Sequence, residues 1–360
     1  MGIRKIKLKN FRNYIDEQIC FSENVTLLYG ENAQGKTNII EALYLFSTGK
    51  SHRTGNNNEL VRYGESFFDI VLDFEENNYS QNIEIIYEKG NKKRLFINEV
   101  KKERMSDVLG IVPSVLFSPE SLSCIKGSPG ERRRIIDIVL CQVSKNYLHN
   151  LQKYNKIVKN KNVLLKEKRK NTQLDVWNES QAITGTAIVE ERKTLLSNIE
   201  KRMKIIMLGI SEGKEDVSIR YRTYMDEDKK RSRSLLDILN EYREKELEQG
   251  VCIIGPHRDD IEILLNNKNS RYFCSQGQQR SLALALNIAV MEEIEERTGK
   301  KPVLLLDDVM SELDEKRRRF LLGLLSNKQA VITSTEKINF KLPGIDVSYI
   351  MIKDGKAFIE

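Results

Sequence analysis

Gly30-Glu31-Asn32-Ala33-Gln34-Gly35-Lys36-Thr37 is the stretch whose reading decides the fold of this 360-residue chain. An apolar run, Val-Thr-Leu-Leu-Tyr at 25–29, precedes it and reads as a buried strand. A helical pattern marked by Ile39, Ile40, Leu43 and Tyr44 follows it. Glycine, four residues, glycine, lysine and threonine between a strand and a helix form the phosphate-binding loop pattern. The glycines let the chain wrap so that backbone N–H groups point inward, and the helix start adds the positive end of its dipole. On this reading residues Gly30, Glu31, Asn32, Ala33, Gln34 and Gly35 cradle the phosphates of ATP. Lys36 reaches the β- and γ-phosphates as a point charge, and Thr37 offers a hydroxyl to Mg²⁺. A chance glycine-rich turn would not bring strand, glycines, lysine, hydroxyl and helix together.

Working outward, Val303-Leu304-Leu305-Leu306-Asp307-Asp308 is a second apolar strand that ends in carboxylates. Ligands of open α/β sheets bind at that end of the strands. Asp307 is the expected Mg²⁺ ligand, directly or through water. Asp308 is the expected catalytic residue, orienting or deprotonating the attacking water beside Lys36. A third element is Ser275-Gln276-Gly277-Gln278-Gln279-Arg280, ahead of an apolar helix pattern. Ser275 and Gln278 have capping-box spacing, so a plain helix cap is one reading. The other is a second anion-binding helix start built from Ser275, Gly277 and Gln278. A chain with two such starts can apply one to its own ATP and one to a partner's.

Strand patterns occur at 3–8, 67–74, 83–87 and 95–97, separated by turns such as Glu75-Glu76-Asn77-Asn78. From 131 to about 210 there is no proline and the periodicity is helical. Leu148, Leu151, Val158 and Leu165 share one alternating three–four spacing, as do Leu196, Ile199, Met203, Ile206 and Ile210. Two helices joined near Asn171 would pair as a short antiparallel hairpin. Strand–helix alternation returns at 251–254, 261–265, a helix at 276–297, and strands at 303–306 and 330–333. The expected fold is α/β: a P-loop ATPase head, 1–110 with 250–360, split by a helical arm domain at 111–249.

The net charge is +7. The segment 151–170 alone supplies that excess, with eight basic residues (Lys153, Lys156, Lys159, Lys161, Lys166, Lys168, Arg169, Lys170) against Glu167. Such concentration suits an anionic partner, or else a solvated lysine-rich helix face. The longest apolar stretch, 281–290, contains Asn287, and no stretch reaches the roughly 20 residues a bilayer span needs. The N-terminus has no apolar signal region, so a cytoplasmic location is expected. Five scattered cysteines and three histidines give no zinc-ligand spacing and read as reduced thiols.

The order of the glycine loop, Ser275–Gln279 and Asp307-Asp308-x-x-Ser311-Glu312-Leu313-Asp314 resembles the ABC/SMC family of ATPases. Three further stretches resemble its RecF branch, the bacterial DNA replication and repair proteins: Leu8-Lys9-Asn10-Phe11-Arg12-Asn13-Tyr14, Gly49-Lys50-Ser51-His52-Arg53-Thr54 and Gly255-Pro256-His257-Arg258-Asp259-Asp260. The resemblance implies an ATP-driven head-to-head homodimer, with Ser275 and Gly277 of one head facing the loop of the other. It places Asp314 at the dimer seam and Asn10, Arg12 and Asn13 near the nucleotide. Arg53 takes the position of an arginine that senses DNA or partner. His257 and Arg258 either face the nucleotide or complete a Gly-Pro turn. It further implies binding to gapped DNA, RecA loading with the partners RecO and RecR, and a part in the SOS response.

Two features depart from the family pattern. Asp308 is one methylene shorter than the usual catalytic glutamate, and Thr333-Ser334-Thr335 replaces the switch histidine. Slow, DNA-stimulated hydrolysis that times dimerisation is therefore expected. An ATP-binding DNA scaffold with negligible hydrolysis is the alternative. The helical insertion and basic arm oppose a transporter subunit. Tyr154 stands alone among the lysines, so backbone contacts to DNA are expected in place of base stacking.

Overall fold

The apolar pentad Val25–Tyr29 is a strand with parallel neighbours on both sides, Ala330–Ser334 and Val347–Lys353. A strand buried on both faces needs a continuous apolar run, and this one has it. The computed structural model describes residues 2–167, 173–223, 234–340 and 346–359, without the side chains of Glu120 and Ser326. In chain order the strands are β1 (Gly2–Phe11), β2 (Tyr14–Cys20), β3 (Val25–Tyr29), β4 (Phe67–Glu76), β5 (Tyr79–Glu88), β6 (Arg94–Ile97), β7 (Val100–Lys102) and β8 (Ser114–Phe117). They continue as β9 (Val217–Arg222), β10 (Asp260–Leu265), β11 (Lys268–Asn269), β12 (Val303–Leu306), β13 (Ala330–Ser334), β14 (Val347–Lys353) and β15 (Lys356–Ile359). The longer helices are α1 (Lys36–Thr48), α2 (Pro129–Val143), α3 (Lys145–Lys166), α4 (Gln173–Ser211) and α5 (Gln276–Thr298).

The chain forms two compact units, Met1–Ser121 with Val290–Glu360, and Leu122–Ala289. The divisions fall after 121 and 289, whereas the sequence suggested 110 and 249. In the first unit β8 pairs in parallel with β12, which draws 114–117 into the core sheet. That sheet runs β15-β14-β3-β13-β12-β8. Because β13 lies between β3 and β12, the C-terminal ends of the three strands stand side by side. The second sheet, β2-β1-β4-β5-β6-β7, is antiparallel, and β4 alternates buried and half-buried residues along its length. Asn77 and Asn78 take positive φ, 53° and 66°, as a two-residue turn between right-twisted strands requires. Ile39, Leu43 and Phe46 of α1 join Phe11, Phe68 and Leu305 in one core.

In the second unit α3 and α4 lie antiparallel: Lys161 Nζ donates to Gln181 Oε1 at 3.0 Å, while Arg192 Nε meets Tyr147 OH at 3.0 Å. The connection expected near Asn171 lies outside the described residues. The inward face of α3 is Tyr147, Leu148, Tyr154, Ile157, Lys161 and Leu165. Leu151 and Val158, placed on that face from the sequence, are only half-buried. Apolar counting missed a face that uses tyrosines and a lysine. Lys161 is buried there because Glu246 Oε2 lies 2.6 Å from its Nζ. The strand expected at 251–254 is absent. Side chains satisfy its backbone instead: Cys252 N donates to Asn162 Oδ1 (2.7 Å), Ile253 N to Glu246 Oε1 (2.9 Å), and Gln181 Nε2 to Ile254 O (2.8 Å). Among the described residues no helix is long and apolar enough to cross a membrane.

Replacing Lys161 by Met leaves the Glu246 carboxylate buried without its cation, which costs about 3–5 kcal/mol. Urea unfolding of Lys161→Met should show that loss, and the double variant with Glu246→Gln, neutral but still able to accept the Ile253 N–H, should recover part of it. Equal stability of Lys161→Met and the wild-type chain would contradict this.

Candidate functional site

The glycine loop has the backbone its sequence demands. Gly30 and Gly35 have φ of 145° and 117°, where a side chain is strained. A Cβ on Gly30 would sit 2.3 Å from Ile352 O, and one on Gly35 would sit 2.7 Å from Asn13 Nδ2. Ala33 also has positive φ, 64°. The first helical N–H with an acceptor is that of Asn38, bonded to Gly35 O at 2.9 Å. The amides of Lys36 and Thr37 thus belong to the donors a helix start leaves without intrahelical partners. Glu31, Asn32 and Ala33 are exposed, and Gln34 is half-buried.

Lys36 is buried and bends back over the loop, with Nζ donating to Gly30 O and Glu31 O at 2.7 Å each. Burial lowers its pKa, while Asp308 and Asp307 pull it back up. Thr37 Oγ1 donates to Asp307 Oδ1 at 2.9 Å, which joins α1 to the end of β12. Thr333, at the end of β13 between them, donates its hydroxyl to the same Oδ1 at 2.8 Å and accepts the Asp308 N–H at 2.9 Å. Asp308 is in the left-handed region, φ 51°, and Thr333 helps hold it there. Burial raises the pKa of Asp307, against the two hydroxyl bonds and the charge of Arg53. A buried carboxylate held by neutral hydroxyls at a strand end suits a divalent cation. The residues therefore fit Mg²⁺.

Sequence reasoning treated Thr333 only as a departure from the family pattern. Its position at the C-terminal end of the apolar strand pattern 330–333 was the available signal. Glu41 was missed as well. It is fully buried on α1, and Arg12 grips it with two bonds, Nε at 2.8 Å and Nη2 at 2.7 Å. Ser51 Oγ also donates to it. Burial opposes its ionisation, but these bonds outweigh burial and its pKa falls. Arg53 Nη1 lies 3.7 Å from the same carboxylate and 3.0 Å from Asn38 Oδ1. Asn13 Nδ2 donates to Gln34 O at 2.9 Å. The stretches at 8–14 and 49–54 therefore meet on α1 and the loop. Asn10 contacts Glu65 instead, with Nδ2 at 3.5 Å.

In the second unit Ser275 is exposed at the start of α5, while Gly277 and Gln278 are half-buried. Gln278 N donates to Ser275 Oγ at 3.2 Å, and Ser275 N donates to Gln278 Oε1 at 2.8 Å. This is the reciprocal cap that the spacing predicted. Gln278 Nε2 also donates to Glu215 Oε1 at 2.8 Å. Asp314, in the first unit, caps the helix Glu315–Gly323 by accepting from Arg317 N at 2.9 Å. His257 is the satisfied imidazole of the Gly255-Pro256 turn, with Nδ1 2.7 Å from Tyr154 OH and Nε2 3.2 Å from Cys252 O. Arg258 Nη2 donates to the same carbonyl at 2.9 Å. Of the basic arm residues, Lys153, Lys156, Lys159 and Lys166 are exposed, and Lys161 is buried and paired. Lys168, Arg169 and Lys170 lie outside the described residues. Tyr154 is buried and offers no stacking face.

Fold and cradle together define a P-loop ATPase head of the ABC/SMC type. The description "RecF/RecN/SMC N terminal domain" matches residues 2–348. The DNA replication and repair protein RecF of Acetivibrio thermocellus is 43% identical, covering 99% of this chain and 100% of that one. RecF of Clostridium botulinum is 38% identical over 99% of each. A solved RecF-ATP structure from the RecFOR pathway superposes with TM-score 0.92 at 34% identity, covering 100% of this chain and 97% of the other. An SMC head bound to a domain of ScpA shares the fold, with TM-score 0.57 at 16% identity and coverage of 100% and 98%. The chain belongs to the RecF family.

Burial lowers the His257 pKa to about 4, against the pull of its bond to the Cys252 carbonyl. Between the ordinary value of about 6.5 and this one, the unfolded chain binds the proton and the folded chain does not. The neutral imidazole therefore adds stability above about pH 6.5 that is lost as pH falls toward 4. Asp259, raised to about 6 by burial, has the opposite slope between its ordinary value and 6. A proton NMR titration should find the His257 ring neutral down to about pH 4, and a midpoint near 6.5 would contradict its buried, doubly bonded setting.

Proposed function

We propose that this chain is an ATP-dependent DNA-binding protein of recombinational repair and replication, dimerising head to head on gapped DNA. The observation that carries the reading is the Thr37–Asp307–Thr333 cluster beside Lys36: hydroxyl, carboxylate and ammonium side by side where α1 begins. The cradle amides at 30–37 would bind the triphosphate of ATP, and Lys36 would neutralise its outer phosphates. When bound, Mg²⁺ supplies the charge that polarises the terminal phosphate, with Thr37 and Asp307 as its protein-side partners. Asp308 would position the attacking water and take its proton. The shorter side chain at 308 supports slow turnover, so that binding and hydrolysis time the assembly.

Ser275, Gly277 and Gln278 would cap the nucleotide of a second copy; the exposed, capped helix start supports this. The exposed Lys153, Lys156, Lys159 and Lys166 would meet DNA phosphates without reading sequence. The RecFOR pathway of the RecF-ATP neighbour, a recombination mediator, supports partners of the RecO and RecR type; RecA loading and the SOS response belong to the same proposed role.

Sedimentation velocity with and without Mg-ATP tests the reading. The wild-type chain should shift from monomer to dimer on adding nucleotide. Ser275→Arg should still bind ATP within about threefold yet remain monomeric, because the larger charged side chain blocks the helix start. A fully dimeric Ser275→Arg, or a wild-type chain indifferent to ATP, would count against it. Changing Lys153, Lys156 and Lys159 to Ala should weaken DNA binding at every sequence and reduce the salt slope by about 2–3.

A further inference from the structure

The outer wall of the glycine loop is held by a part of the chain more than 300 residues away in sequence. The turn between β14 and β15, Asp354-Gly355, has positive φ at both residues, 50° and 70°. Asp354 N donates to Gln34 Oε1 at 2.6 Å, and Gly355 N donates to Gln34 O at 3.3 Å. Asn13 Nδ2 reaches the same carbonyl at 2.9 Å. Gly355 lies so close to Asn13 that a Cβ there would sit 3.0 Å from Asn13 O. Just before the turn, the Ile352 carbonyl sits against Gly30 at the other end of the loop. All of these residues belong to the first unit.

We propose that the Asp354-Gly355 turn is a positioning element of the nucleotide cradle and that Gln34 is the residue coupling them; this rests on the ATP reading above. A trans peptide unit is planar, with its C=O and N–H pointing in opposite directions. Two donors that fix the Gln34 carbonyl toward the hairpin therefore aim the Gly35 N–H away from it, toward the inside of the loop. A loop with two glycines at positive φ has high conformational freedom in isolation. Holding one of its peptide planes from outside removes part of the ordering cost that a ligand would otherwise meet. Gln34 thus acts through the backbone it orients. The C-terminal hairpin, which carries no recognised motif, becomes part of the binding machinery.

Hydrogen exchange and nucleotide binding test this together. In the wild-type chain Mg-ATP should slow exchange of the Asp354 and Gly355 amides by about tenfold or more. Gln34→Met keeps length and bulk but removes the acceptor for Asp354 N–H, and with it the side-chain bond that seats the turn whose Gly355 N–H holds the Gln34 carbonyl. It should weaken Mg-ATP by about five- to tenfold, abolish that slowing, and leave the ligand-free melting temperature within about 2 °C. Hairpin amides that exchange alike with and without ATP in the wild-type chain would overturn the proposal, and that arm needs no substitution. Unchanged affinity in Gln34→Met would overturn it equally. A wild-type chain that binds no Mg-ATP would instead refute the nucleotide reading itself.

Discussion

A single carboxylate oxygen, Oδ1 of Asp307, receives hydroxyls from both Thr37 and Thr333, and the chemistry of the first unit is organised around it. It exists because β13 lies between β3 and β12, so the loop, the threonine and the carboxylates emerge on one edge of one sheet. The parallel arrangement makes that edge the C-terminal end of every strand concerned. Burial pushes Asp307 toward protonation, and a dication bound there would reverse that. The same hydroxyl of Thr333 pins the Asp308 backbone in its left-handed conformation, which sets the direction of the second carboxylate.

The second unit is held by a different physical device. Its irregular segment at 251–258 runs past two helices and has no sheet ladder, yet side chains from α3 and α4 take up much of its backbone bonding. Asn162 and Gln181 bind it directly, while Lys161 steadies Glu246, which binds it in turn. Buried polar groups of this kind are costly when any one partner is missing, so the segment is specified as a set. His257 belongs to this joint. Its two ring nitrogens are engaged within the unit, and burial keeps it neutral.

The glycine loop, the flanking strand and helix, the β12 carboxylates and the capped start of α5 were all legible in the sequence. Each is a local pattern: spacing, apolar run and cap lie within a few residues. What escaped is non-local. The strand read at 251–254 is apolar enough, but its hydrogen-bond partners are side chains drawn from 90 residues away in the case of Asn162. Asn162 carries no apolar signal in the α3 pattern, yet it supplies the acceptor for Cys252 N. Lys161 counted as a phosphate-binding charge until Glu246 was seen beside it. Glu41 gave no signal, and Gln34 read only as one more cradle position, because a buried glutamate on a helix and the tie of a loop glutamine to a distant turn acquire meaning only from partners at 12, 51 and 354.

The central claim is that hydroxyl and carboxylate at the edge of the core sheet hold the metal of a nucleotide which the helix start at Ser275 of a second copy then covers. A crystal grown with Mn²⁺ and a non-hydrolysable ATP analogue, with anomalous data collected at the manganese edge, measures this directly. The account predicts one strong peak per chain at about 2.0–2.3 Å from Thr37 Oγ1 and beside Asp307, with Ser275 of another copy over the same triphosphate. A peak away from Thr37 and Asp307, or a triphosphate outside the glycine loop, would contradict it.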